Sequence, residues 1–200
     1  MPEFIKMGVI LMIVATIATT ILAATEEITR APIADAKRQE LLLVLKQVLP
    51  KGFNNEPDQD TLKLSDQSLD RKNKPVTFYL AKKDGEPQAA AFVVVAPDGY
   101  SGNIEILMAV KIDGTINGVR VVSHTETPGL GDKVSVTDWP KSFEGKTQTN
   151  TKWGVKKDGG DFDQFAGATI TPRAVVGAVK RGLDFFVANK NQIFSSADTK

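Results

Sequence analysis

Between Asp163 and Pro172 the chain reads Asp-Gln-Phe-Ala-Gly-Ala-Thr-Ile-Thr-Pro, and two of these residues, Thr169 and Thr171, carry hydroxyls where an apolar helical pattern begins. From Arg173 to about Lys190, Val175, Val176, Val179, Leu183, Phe186 and Val187 recur at helical spacing. That spacing makes Thr171 the N-cap and Pro172 the first helical residue, where the missing N–H has no intrahelical role. A helix N-terminus offers unpaired N–H groups and a partial positive charge, so it favours a phosphate. Gly167 and Ala168 carry little or no side chain, so a bulky ligand can approach the backbone there. A threonine hydroxyl at such a point has two chemical uses: it can bind a phosphate, or it can be esterified to one. On local chemistry alone, a turn in which Gly-Ala-Thr merely enters and caps a helix remains the alternative.

The second informative segment is Ser-His-Thr-Glu-Thr-Pro-Gly-Leu-Gly-Asp-Lys, residues 123–133. It leaves a predicted strand and turns on Pro128-Gly129, with Gly131 adding backbone freedom. Glu126, Thr127 and the following turn can lay polar groups against a flat ring, and Leu130 can cover one of its faces. An ordinary loop at a hairpin end is the competing reading.

Other candidates carry weaker chemistry. His124, the one histidine, is either a proton donor beside a ligand or a hydrogen-bonding loop residue. Lys152, Lys156, Lys157 and Arg173 lie near the motifs, and Arg173 and Lys156 are the candidates to pair with a phosphate or a partner. Asp158, Asp161 and Asp163 miss the spacing of a calcium loop, and no metal site is expected. Gly145-Lys146-Thr147 lacks the earlier glycine of a phosphate-binding loop. The chain has no cysteine, which excludes disulfides, thiolate-held clusters and thiol nucleophiles. A net charge of +1 gives no electrostatic case for nucleic acid. No hydrolase or dinucleotide-binding motif is present.

Taken together, the two segments resemble the FMN-binding domain family. The string ending at Thr169 is similar to that family's flavinylation motif, Asp-x-x-Ser/Thr-Gly-Ala-Thr, with Ala166 where Ser or Thr is usual. Glu-Thr-Pro-Gly-Leu-Gly, residues 126–131, is similar to the family's ring-contacting loop. The resemblance implies a covalent FMN, joined through a phosphoester to Thr169 by a dedicated flavin transferase. It further implies that Gly167, Ala168 and Thr171 surround the phosphate, and that Glu126, Thr127, Gly129, Leu130 and Gly131 meet the ring. Ala96-Pro-Asp-Gly-Tyr-Ser-Gly102 and Trp153-Gly-Val-Lys-Lys-Asp-Gly-Gly-Asp-Phe-Asp163 resemble one branch in particular, the G subunits of Rnf (Rsx) electron-transport complexes. The C subunit of the sodium-pumping NADH:quinone reductase shares the domain. On this resemblance the chain is an electron carrier beside other Rnf-type subunits, in ferredoxin:NAD+ oxidoreduction coupled to ion transport. It has no catalytic residue of its own, and turnover belongs to the complex. Two rivals remain: a cofactor-free anchored binding module, and a cleaved, secreted flavin enzyme.

These segments need elements to position them. Met7 to Ala24 are 18 consecutive uncharged residues, enough with Phe4 and Ile5 to span a bilayer. Lys6 precedes the span and Glu26 and Glu27 follow it, so charge bias puts the N-terminus in the cytoplasm and the rest across the inner membrane, in the periplasm. Leu22-Ala23-Ala24 also allows signal-peptide cleavage. Ile33 to Leu49 reads as an amphipathic helix stopped by Pro50 and Gly52; it can continue from the anchor, with Pro32 marking a break or a restart. Residues 51–75 read as loop. Strands are predicted over Val76–Ala81, Ala89–Ala96, Ile104–Ile112 and Ile116–Val122, with a hairpin signal in Lys-Lys-Asp-Gly-Glu-Pro, residues 82–87, and a tight turn around Asp113-Gly114. The order helix, antiparallel strands, long loops, helix makes the fold α+β, with helices packed on an antiparallel sheet. The expected organisation is a transmembrane anchor at 1–25, an amphipathic helical connector at 26–52 and one FMN-binding domain at 53–200.

Overall fold

The computed structural model describes residues 2–195. In chain order its elements are helix α1 (Glu3–Val48), strands β1 (Thr61–Leu64), β2 (Val76–Lys83), β3 (Glu86–Ala96), β4 (Ile104–Lys111) and β5 (Ile116–Ser123), helix α2 (Lys133–Val136), 3-10 turns at Trp139–Phe143 and Lys156–Asp158, and helix α3 (Ile170–Ser195). Two compact units are distinguished, Met1–Leu41 and Leu42–Lys200.

The first unit is helical. Its apolar side chains, among them Ile10, Leu11, Met12 and Ile13, are exposed, and α1 is long and apolar enough to cross a membrane. The hydroxyls of Thr16, Thr19, Thr20, Thr25 and Thr29 donate to the carbonyls of Met12, Ala15, Thr16, Ile21 and Thr25 at 2.7–2.8 Å. Each of these polar groups is thus satisfied within the helix, which an apolar solvent requires. Continuation from the anchor is the outcome observed: Pro32 lies inside α1 and marks no break. A proline removes a single backbone donor, and the Ala-, Leu- and Glu-rich sequence on either side carries the helix through that local loss.

In the second unit the five strands form an antiparallel sheet in the order β1-β2-β3-β4-β5, so every strand pairs with its neighbour in sequence. The β2–β3 connection is Asp84-Gly85, both at positive φ (52° and 86°), the two-residue turn whose twist matches a hairpin. Strand β1 lies in the stretch read as loop. It is a four-residue edge strand with alternating exposure, too short and polar to stand out in sequence.

Alternate residues of β3 and β4, among them Phe92, Val94, Ile106 and Met108, face α3, whose Val175, Val179, Leu183 and Phe186 are fully buried. Phe92 bridges the layers, stacked 4.5 Å from Phe78 and 6.2 Å from Phe186. Helix and sheet pack tightly at Gly182, where a Cβ would lie 2.6 Å from Val94 Cγ1 and 2.7 Å from Met108 Sδ. On the other face, Ala91, Ala109 and Gly118 are cross-strand neighbours and form a shallow strip. The buried end of α1 (Leu45, Val48) lies there, with Val48 Cα 3.0 Å from where a Gly118 Cβ would be and the Val48 carbonyl accepting from Asn117 Nδ2 at 2.6 Å. The irregular stretch after β5 has its own aromatic cluster, in which Phe143 stacks on Phe162 at 4.5 Å and meets Trp139 edge-on at 5.3 Å.

Candidate functional site

Two tight turns face each other across an open cavity of ≈ 270 Å³. In the first, the Leu130 N–H donates to the Thr127 carbonyl at 3.2 Å, with Pro128 second and Gly129 third at φ 76°. In the other, the Ala168 N–H donates to the Phe165 carbonyl at 3.1 Å, with Gly167 third, also at φ 76°. A positive φ confined to the third residue is the type II arrangement, which needs glycine there and suits proline or alanine before it. Ala166 therefore meets the needs of the turn without a hydroxyl. The turns approach at Gly167, where a Cβ would meet Leu130 Cδ2 at 3.8 Å.

The second turn delivers Thr169 to the start of α3. Its carbonyl accepts the first helical hydrogen bond, from Arg173 N–H at 3.3 Å, so Thr169 and not Thr171 occupies the N-cap position. The expectation placed the cap two residues late because it took Pro172 as the helix start; proline is tolerated throughout the first turn, where no N–H has an intrahelical partner. The N–H groups of Ile170 and Thr171 lie in that turn. Thr169 is half-buried and lines the cavity, and its hydroxyl makes no hydrogen bond to any described residue.

Thr171 is 1% exposed, and its hydroxyl donates to Glu126 Oε2. Glu126, 5% exposed, also accepts the Ser101 N–H on Oε1 at 2.9 Å. Two glycines make room for the carboxylate: a Cβ at Gly99 would lie 2.8 Å from Oε1, and one at Gly131 would lie 2.6 Å from Oε2. Glu126 therefore ties three chain segments together. Each hydrogen bond to a buried charge is worth about 1.5–3 kcal/mol.

Of the residues singled out from sequence, Glu126, Thr127, Leu130, Gly131, Gly167, Ala168, Thr169 and Thr171 line this one cavity. Gly129 does not; it shapes the turn behind Leu130. Tyr100 and Ile170 join the lining. Tyr100 is 69% exposed in the turn that also supplies the Ser101 N–H, and its signal was an aromatic side chain placed between turn residues.

His124 is a loop brace. Its Nδ1 accepts the Glu126 N–H at 3.2 Å, which leaves Nε2 to donate to Ser135 Oγ at 2.9 Å; that hydroxyl donates to the Asp132 carbonyl at 2.8 Å. Arg173 and Lys156 point elsewhere than the cavity. Arg173 makes a two-pronged pair with Asp158, both contacts 2.6 Å, and Lys156 pairs with Asp163 at 2.6 Å. The Arg173 guanidinium holds the Asp158 carboxyl below its ordinary range. Trp139 completes the support, its indole N–H donating to the Asp163 carbonyl at 2.8 Å. Among the described residues no acidic or histidine cluster could hold a metal.

The arrangement suits a phosphorylated ring compound. Small residues form the floor, Leu130, Ile170 and Tyr100 offer apolar walls, and the N-terminus of α3 borders the cavity, where it would favour an anion.

Residues 99–184 match the FMN-binding domain model, and residues 3–48 match the RnfG N-terminal region. The chain is 44% identical to the G subunit of the ion-translocating oxidoreductase complex of Pseudoalteromonas atlantica, over 96% of this chain and 93% of that one. It is 43% identical to the protein of the same name from Vibrio atlanticus, over 95% and 93%. Among solved structures, NqrC of Shewanella oneidensis is 27% identical over 72% of each chain, with a TM-score of 0.46. With its apolar N-terminal helix, antiparallel sheet and FMN-binding domain, the chain belongs to the family of G subunits of ion-translocating oxidoreductase complexes.

Proposed function

We propose that the chain is a membrane-anchored electron carrier that holds one FMN as a phosphoester on Thr169. A single observation carries the reading: the Thr169 hydroxyl makes no hydrogen bond to any described residue, lines the cavity between the two turns and sits at the N-cap of α3. FMN supplies reversible acceptance and release of electrons when bound. The chain's residues bind and orient it. The N-terminus of α3, with its partial positive charge, offsets the anionic diester, an effect worth about 0.3–1 kcal/mol at an exposed site. Leu130 and Ile170 wall the ring, and the 126–131 turn presents its backbone to it. Glu126 holds the walls in register rather than reaching for the ligand, because its carboxylate already serves Ser101 and Thr171.

A tether of this kind suits a domain outside the cytoplasm, where no flavin pool replaces lost cofactor. On this reading residues 1–25 anchor the chain with its N-terminus in the cytoplasm, 26–52 connect, and 53–200 carry the cofactor on the periplasmic side of the inner membrane. A flavin transferase loads Thr169, and the partners are the other members of an Rnf-type complex in ion-coupled ferredoxin:NAD+ oxidoreduction. Lys6 before the apolar run and Glu26 and Glu27 after it support the orientation.

The test is in-gel flavin fluorescence and intact mass on denatured protein, produced with its anchor and a flavin transferase, wild type beside Thr169→Val. A fluorescent wild-type band, heavier by one FMN less one water and absent in the variant, is expected. A dark wild-type band, with the transferase active on a control substrate, would overturn the covalent reading and favour a cofactor-free binding module.

A further inference from the structure

The motif presents two threonines to one cavity, Thr169 and Thr171, on either side of a single residue. Both hydroxyls have the same intrinsic reactivity, so sequence alone does not explain why one would be esterified. The two differ in what surrounds them. Thr169 is half-buried and its hydroxyl makes no hydrogen bond to any described residue, whereas Thr171 is 1% exposed with its hydroxyl committed to Glu126 Oε2. Gly131 packs over that pair so closely that a Cβ there would lie 2.6 Å from Glu126 Oε2 and 2.7 Å from Thr171 Oγ1.

We propose that Glu126 determines the site of flavin attachment by masking the Thr171 hydroxyl, leaving Thr169 as the acceptor in the folded chain. The inference rests on the reading that Thr169 carries the cofactor. The step itself is a phosphoryl-group substitution without redox change. The threonine oxygen forms a bond to the phosphorus of the FMN half of flavin adenine dinucleotide, and the anhydride bond to the AMP half breaks. AMP leaves with the electron pair, and the hydroxyl proton passes to solvent. A hydroxyl that donates to a buried carboxylate and lies beneath Gly131 is shielded from an incoming phosphorus, while that of Thr169 is open to the cavity. Glu126 is accordingly a positioning and selectivity residue, not a catalytic one.

The experiment places the selectivity variants in the Thr169→Val background, where Thr171 is the remaining hydroxyl at the helix start. Full-length protein is co-produced with the transferase, and the flavin-bearing peptide is mapped by mass spectrometry. With Glu126 intact, no label is expected at Thr171. Glu126→Ala should raise label at Thr171 by about tenfold or more, the ratio expected for losing a hydrogen bond to a buried charge. Glu126→Gln, which still offers the Thr171 hydroxyl a partner, should return it toward background. Should Glu126→Ala fail to fold, Glu126→Asp decides instead, because a carboxylate one methylene shorter withdraws from the Thr171 hydroxyl and adds no bulk over it; the same rise is expected. Folded variants that leave Thr171 unlabelled overturn the proposal and assign the selectivity to the transferase. Wild type run alongside separates the two readings: label on Thr169 in wild type with none on Thr171 in the variants rejects the masking role alone, whereas an unlabelled wild type rejects the covalent reading itself.

Discussion

Two glycines five residues apart in α3 should respond in opposite ways to the same substitution. Replacing an interior helical glycine by alanine gains about 1 kcal/mol of helix propensity wherever the methyl group fits. At Gly177 it fits, since a Cβ would meet only Arg181 Nη1, at 3.5 Å. At Gly182 it does not. The added carbon would lie 2.6 Å from Val94 Cγ1, 2.7 Å from Met108 Sδ and 3.4 Å from Phe92 Cε2. Met108 can turn its thioether aside, but Val94 is branched at Cβ and held in the central strand, so helix or strand must shift. Overpacking of this kind costs about 1–3 kcal/mol. Comparing the variants cancels the propensity gain common to both and leaves the steric cost. At about 2–4 °C per kcal/mol for a domain of this size, Gly177→Ala should melt about 2–12 °C above Gly182→Ala, with wild type between them. Thermal unfolding of the detergent-solubilised full chain, followed by circular dichroism, measures this directly. Equal shifts in the two variants, or a more stable Gly182→Ala, would refute the claim that α3 seats on the sheet at Gly182.

Two further outcomes follow from contacts at the site. Trp139→Phe keeps the aromatic cluster but removes the donor to the Asp163 carbonyl, so unfolding stability should fall by about 1 kcal/mol in denaturant titration; on the proposed covalent reading, flavin loading should slow as the turn before Thr169 loosens. Asp158, held below its ordinary value of 3.8 by Arg173, binds fewer protons folded than unfolded; its contribution is therefore present above pH 3.8 and is lost as pH falls through the lowered folded value. Asp158→Asn should accordingly lie slightly below wild type above pH 3.8 and converge with it as pH falls through the lowered folded value, a small difference because the pair is exposed to solvent.

How far the chain can be read in advance depends on the distance over which each feature is determined. The four longer strands, both hairpin turns and the two glycine turns of the site are local, written in alternation, in Asp-Gly, and in Pro-Gly and Ala-Gly. Thr169 stood out through the resemblance of its segment to the flavinylation motif, whereas the local helix-start pattern pointed to Thr171 as the cap. Features that failed to stand out are settled by remote partners or small energy differences. Strand β1 pairs with β2 although its own pattern is weak. Pro32 is absorbed by the helix around it. The part played by Glu126 depends on Ser101, on Gly131 and on a threonine 45 residues away. The basic residues Arg173 and Lys156 are spent on Asp158 and Asp163, and that pairing becomes visible only once the loop folds back on α3.

The order of the sheet bears on when the site can come into being. Strands that pair only with their sequence neighbours close short loops, so β1 to β5 can assemble progressively as chain becomes available. The cavity cannot. One of its turns follows β5, whereas the other, with Thr169, is fixed only when the final helix docks on the finished sheet at Gly182. A chain cut between β5 and α3 keeps all five strands but lacks the helix start at which Thr169 is held. On the proposed reading, in which the cofactor sits in this cavity, its occupancy reports that the chain has been made and folded through α3.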